Sequence, residues 1–133
     1  MAKVQKYINQ KYLKEERKKV IELDISNHNL EGELNLIEFV NLKVLNCSNN
    51  KLTTLNVSKC SKLRELYCYN NCLINLDLDD LLNLEEIECS SNLLTDINLP
   101  REPKKLVKLN LQDNNLSERN ISCFTRFTKL EEL

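Results

Sequence analysis

Every 21 or 22 residues this chain returns to one short phrase, and that return constrains its fold more than any other feature. The stretch LKVLNCSNNKLTTLNVSKCSK (42–62) is followed at once by LRELYCYNNCLINLDLDDLLN (63–83), with leucines, a cysteine and an asparagine at matching places. Taking Leu42 as the first position, column one holds Val20, Leu42, Leu63, Leu84 and Leu106. Column four holds Leu23, Leu45, Leu66, Ile87 and Leu109, and column six Ile25, Cys47, Cys68, Cys89 and Leu111. Column nine reads His28, Asn50, Asn71, Asn92 and Asn114. Column eleven is leucine throughout: Leu30, Leu52, Leu73, Leu94 and Leu116. A unit this short cannot bury its own apolar face, so the copies must stack and share one core.

Within each copy, x-L-x-L is a short strand with leucines turned inward and the alternate residues outward. The asparagine follows where the chain leaves the strand. Buried there, its amide can satisfy backbone groups that no strand ladder reaches, and stacked copies then form a ladder of such bonds (His28, Asn50, Asn71, Asn92, Asn114). His28 is expected to make the same kind of backbone bond. Only about ten residues remain for the return, so the back of the stack is expected to be extended or 3₁₀ rather than α-helical. Pro100 and Pro103 rule out regular helix in the fourth copy. The chain holds 26 leucines and 19 asparagines against a single glycine, which points to asparagine as its turn-former.

These columns match the signature L-x-x-L-x-L-x-x-N/C-x-L, and the chain from residue 20 onward resembles the leucine-rich-repeat family. The phrasing KEERKKVIELDISNHNLEGELNLIEFVNLKVLNCSNNKL is also similar to leucine-rich-repeat arrays expanded in arbuscular mycorrhizal fungi. The resemblance implies an α/β-type solenoid with a parallel sheet on its concave face. It also implies a non-catalytic protein-interaction module, or the sensor or targeting segment of a larger enzyme such as a kinase. The expected organisation is an N-terminal helical cap over 1–19 and repeats over 20–133. Copies start at 20, 42, 63, 84 and 106, with a partial sixth at 130. The cap rests on Val4, Tyr7, Ile8 and Tyr12, which recur at helical spacing. At the other end, Phe124, Phe127, Leu130 and Leu133 either close the stack or leave an edge for self-association.

Charge and motif content exclude several classes of function. The net charge is −1 with both signs mixed along the chain, which argues against nucleic acid or an anionic membrane as partner. No apolar run approaches the roughly 18 residues of a membrane span. The charged N-terminus lacks the apolar stretch of a secretory signal, so a cytoplasmic chain is expected. There is no nucleophile motif, phosphate loop or C-x-x-C, hence no catalytic residue, cofactor or metal site is expected. Of six cysteines, Cys47, Cys68 and Cys89 fall in the inward sixth column and Cys60 in the inward nineteenth. They are expected to be buried, reduced thiols. Stacked neighbours come close enough for a disulfide, but a reducing compartment and the required torsion argue against one. Cys72 is expected to be the accessible thiol.

The outward columns three, five, seven and eight carry the functional expectation. They present Glu22 and Asp24, then Glu65, Tyr67 and Tyr69, then Glu86 and Glu88, then Asn110. Across those columns six acids stand against one lysine. Tyrosine is favoured as an interface anchor. A central tyrosine pair ringed by carboxylates suits a protein or peptide partner that is basic and extended. Asn70, in column eight, is expected to face outward and to tolerate truncation, unlike Asn71 beside it.

Overall fold

The structure, a computed structural model, describes residues 2–117. The partial copy at Leu130, the closure by Phe124 and Phe127 and the self-association edge lie outside those residues. In chain order the elements are β1 (Ala2–Lys3), α1 (Val4–Lys11), a 3₁₀ helix (Lys14–Lys19), β2 (Glu22–Asp24), β3 (Leu30–Asn35) and β4 (Val44–Asn46). Then follow β5 (Lys51–Asn56), β6 (Glu65–Tyr67), β7 (Asn75–Asp77), β8 (Glu86–Glu88), β9 (Asp96–Asn98) and β10 (Lys108–Asn110).

The strands of columns three to five stack in register into one parallel sheet, ordered β10-β8-β6-β4-β2. Each has a buried middle residue (Leu23, Leu45, Leu66, Ile87, Leu109) between two outward ones. Pairing continues past the strand ends: Cys47 N–H donates to Tyr67 O, Cys68 N–H to Glu88 O and Cys89 N–H to Asn110 O, each at 2.9 Å. The return path is extended, and more ordered than an irregular return. It forms two further parallel sheets, β1-β3-β5 and β7-β9. Strand gives way there to i→i+3 turns such as Cys60 N–H to Val57 O (2.9 Å) and Leu63 N–H to Cys60 O (3.0 Å). Between the faces runs one continuous core of leucines, cysteines and Phe39. The only glycine, Gly32, sits where the β3–β5 register shifts, at φ +96°, a region L side chains avoid. There Leu30 and Leu34 are four apart while Leu52 and Leu55 are three apart, so the first coil must absorb an extra residue.

At the start of the chain, α1 buries Val4 and Ile8, one turn apart, against the first coil. An eight-residue helix with no side-chain cap is held by that packing rather than by its own propensity. Arg17 fastens it from below: its guanidinium donates to Asn9 Oδ1 (2.9 Å), Tyr12 O (3.2 Å) and Glu38 Oε1 (3.1 Å).

The cysteines need a correction. Cys68 and Cys89 form a disulfide across neighbouring coils, with Cα atoms 4.8 Å apart. The expected reduced state fails here because register brings the two together: Leu66 pairs with Ile87 and Tyr67 with Glu88, so the next inward residues abut. That separation is within the range a disulfide spans. Cys47 and Cys60 are buried free thiols, and Cys60 Sγ donates to Leu36 O at 3.5 Å.

Candidate functional site: the acidic strand face

Each asparagine of column nine joins two coils. Asn71 Oδ1 accepts from Leu52 N–H (3.0 Å), while its Nδ2 donates back to Cys47 O (3.0 Å) and to Cys68 O (3.1 Å) in its own coil. Asn92 repeats this with Leu73 N–H, Cys68 O and Cys89 O, and Asn114 with Leu94 N–H, Cys89 O and Leu111 O. Asn50 bonds Leu30 N–H, His28 N–H, Ile25 O and Cys47 O. His28 departs from the pattern. Its ring is exposed, lies 5.4 Å from the Tyr7 ring, and donates through Nδ1–H only to Ser26 O. That bond reproduces the local contact of Asn50 Nδ2 with Ser48 O, but no repeat coil precedes the first for an inter-coil bond to reach.

The residue before each ladder position is a second functional column that the sequence reading placed on the face without seeing its role. Asn27, Asn49, Asn70, Ser91 and Asp113 all have left-handed backbone, with φ between +53° and +58°. Short polar side chains tolerate that region best after glycine. Asn70 is therefore a turn residue, and its truncation is expected to cost stability where the sequence suggested it would be tolerated. The signal was available: this chain turns at every coil with almost no glycine.

The expected partner-binding residues separate into two groups. Asp24 and Asn110 are spent on turns. Asp24 Oδ1 accepts from Ser26 Oγ (2.6 Å) and Ser26 N–H (3.0 Å), and these bonds, hydroxyl first, hold its carboxyl below the usual range. Asn110 Oδ1 accepts from Gln112 N–H at 3.1 Å. Glu22 stands exposed at the edge of the sheet, beside Val44. The others converge. Parallel register places Glu65 beside Glu86 and Tyr67 beside Glu88. Like charges stacked this way repel, and Tyr67 intervenes: its hydroxyl lies 2.8 Å from both Glu65 Oε1 and Glu86 Oε2. Burial first, then the two carboxylates, push the Tyr67 hydroxyl well above the usual phenol range, so it remains a donor. Lys108 Nζ meets Glu88 Oε1 at 3.3 Å from the last described strand. Tyr69 is half-buried beyond the strand end, and among the described residues no ring contact joins it to Tyr67.

Among the described residues no group of His, Cys, Asp or Glu is placed to hold a metal ion. None of their helices is long and apolar enough to cross a membrane. Among the described residues the remaining thiols differ in reactivity for a physical reason: burial pushes Cys47 and Cys60 up to about 12, whereas Cys72 is partly exposed. Iodoacetamide at pH 8 is expected to label Cys72 first and Cys47 only as fast as the chain opens, read by peptide mass mapping. Labelling of Cys47 at the rate seen in denaturant would contradict this burial. The same shift makes stability fall as pH rises from about 9 toward 12, because the unfolded chain loses those thiol protons first.

Comparison with known proteins gives this geometry a family context. The family model described as Leucine Rich Repeat matches residues 41–63 and 105–127. This chain is built of leucine-rich repeats. The leucine-rich-repeat array is similar in structure to an internalin C2 from Listeria monocytogenes, with a TM-score of 0.71 and 20% sequence identity. That likeness covers 94% of this chain and 57% of the internalin chain, so the array spans little more than half the length of its structural relative. A search of curated proteins returns no match. Leucine-rich repeats commonly serve protein–protein interaction and are typically non-enzymatic.

Proposed function

We propose that this leucine-rich-repeat chain is a non-catalytic interaction module whose strand face holds a basic, extended protein segment. The observation that carries the reading is the centre of that face, where one phenol proton is shared by Glu65 and Glu86 and Glu88 lies alongside. Tyr67 fixes the carboxylates rather than offering a free hydroxyl. Its ring and that of Tyr69 supply apolar contact, while the acids steer a cationic chain toward them. A segment laid across the stacked strands follows the acidic columns from coil to coil, on a surface made rigid by the ladder beneath.

Arginine-rich extended peptides of known sequence, titrated onto the immobilised full chain, test the proposal. Tyr69→Ala is expected to cost about 2 kcal/mol of binding without changing the unfolding midpoint. Glu65→Gln with Glu86→Gln is expected to slow association chiefly at low salt. Unchanged affinity and unchanged salt dependence in all three substitutions would remove the strand face as the site.

A further inference from the structure

We infer that the rim beside the strand face, formed by Lys43, Lys62, Arg64 and Lys105, is a second docking surface that takes a carboxylate-rich, extended peptide segment. This surface is separate from the acidic face and does not depend on it. Residues one coil apart become lateral neighbours in a parallel stack, about 4.8 Å from one another. The column just before each coil's first leucine therefore lines up as Asn41, Lys62, Asn83 and Lys105, and the one just after it brings Lys43, Arg64 and Glu85 together. Together Lys43, Lys62, Arg64, Asn83, Glu85 and Lys105 line a shallow cleft of about 210 Å³. Four cations face one carboxylate there, on a chain whose net charge is −1.

Two of the cations, Lys62 and Lys105, are held in place without being neutralised, while Arg64 is paired with Glu85. Lys62 Nζ donates to Asn41 Oδ1 at 2.8 Å and Lys105 Nζ to Asn83 Oδ1 at 2.7 Å. Those amides are themselves anchored, Asn41 Nδ2 on Lys18 O and Asn83 Nδ2 on Ser61 O. An amide carries no charge, so each ammonium keeps its own while losing much of its freedom, which lowers the entropic cost of meeting an anion. Lys43 has no acidic partner among the described residues. Glu85 already shows how a carboxylate seats on this rim, accepting from Arg64 Nε.

The form of the ligand follows from the surroundings. Among the described residues no helix N-terminus lies at the cleft to favour phosphate. The acidic columns of Glu65, Glu86 and Glu88 run alongside, so a broad polyanion such as a nucleic-acid duplex would overlap its own repulsion. A single extended peptide can follow the row of cations without crossing those columns. In an extended chain of polyproline-II type, with three residues per turn, carboxylates three residues apart share one side and lie about 9 Å apart, close to the two-coil separation of Lys62 and Lys105, about 9.6 Å.

Fluorescence anisotropy of a labelled Glu-Ser-Ser-Glu-Ser-Ser-Glu peptide, titrated with the full chain, decides the matter. Expected are saturable binding that weakens as salt rises, and a loss of about tenfold or more in Lys43→Glu, Lys105→Glu. The neutralised pair Lys43→Gln, Lys105→Gln is expected to fall between the two, and Tyr69→Ala to bind as wild type. The proposal is overturned if the reversed variant, shown folded by its urea midpoint, binds within about twofold of wild type. It is equally overturned if a Gln-substituted peptide binds as well as the Glu peptide. Full displacement by inorganic phosphate at equal charge would also sink it, by revealing a simple anion site.

Discussion

Asn71→Ala is expected to lower stability by roughly 3 kcal/mol, because it leaves one buried backbone N–H unpaired and takes a donor from carbonyls in two coils. Leu52 N–H loses its acceptor and is not placed to reach water, since Asn71 itself is only 8% exposed, while Cys47 O and Cys68 O keep the amides of Asn50 and Asn92. Each orphaned group costs about 1–3 kcal/mol. Asn71→Asp keeps the acceptor but converts the donors into a carboxylate aimed at carbonyls, and is expected to be no milder. The comparison that isolates the ladder is Asn70. Asn70→Ala gives up a left-handed residue for about 1–2 kcal/mol, and Asn70→Gly, which suits φ +56°, costs little. Urea unfolding with a common slope should rank the midpoints Asn70→Gly, Asn70→Ala, Asn71→Ala from high to low. If Asn71→Ala unfolds no earlier than Asn70→Ala, the amide is not supporting the coil.

Breaking the Cys68–Cys89 bridge is expected to cost about 3 kcal/mol, on the chain-entropy account of a cross-link of this span. The two residues are 21 apart in sequence, so the bridge closes a loop of one full coil in the unfolded chain. Cys68→Ala with Cys89→Ala should remove that constraint while leaving only small cavities in the column. Alkylation in denaturant without reductant should modify Cys47 and leave Cys68 and Cys89 unmodified, as read by mass spectrometry. Equal modification of all three would show that the thiols are free, and a urea midpoint unmoved by reductant would show that the bridge does not constrain the chain.

The sequence was informative wherever one residue type had one task. Leucines in columns one, four and eleven could only be core, and the regular spacing of Leu45, Leu66 and Ile87 located the strand sheet without ambiguity. Asparagine was harder because it has two tasks in adjacent columns. Asn71 is buried for its amide, and Asn70 is chosen for a backbone conformation that leaves no trace in hydrophobic pattern. The back sheets were legible only as extended chain. Runs such as Lys51–Asn56 alternate too weakly to distinguish a strand from a loop, and their pairing depends on the neighbouring coil. The disulfide could not be read at all: Cys47, Cys68 and Cys89 are equally spaced, and nothing in the spacing selects one neighbour over the other. On the acidic face, the carboxylate columns were visible, but the bond from Tyr67 to two of them depends on side-chain reach across coils.

The bridge has a further consequence when the molecule is viewed as a one-dimensional array. In a stack where each coil touches only its neighbours, order is lost by a boundary that steps inward from an end, one interface at a time. Cys68 and Cys89 belong to the third and fourth coils, so a boundary moving in from the first coil meets a covalent barrier at the third. The array is thereby divided into an N-terminal segment held only by its cap and its packing and a clamped pair. The clamped pair carries Glu65, Tyr67, Glu86 and Glu88, so the acidic centre sits on the two coils least able to come apart.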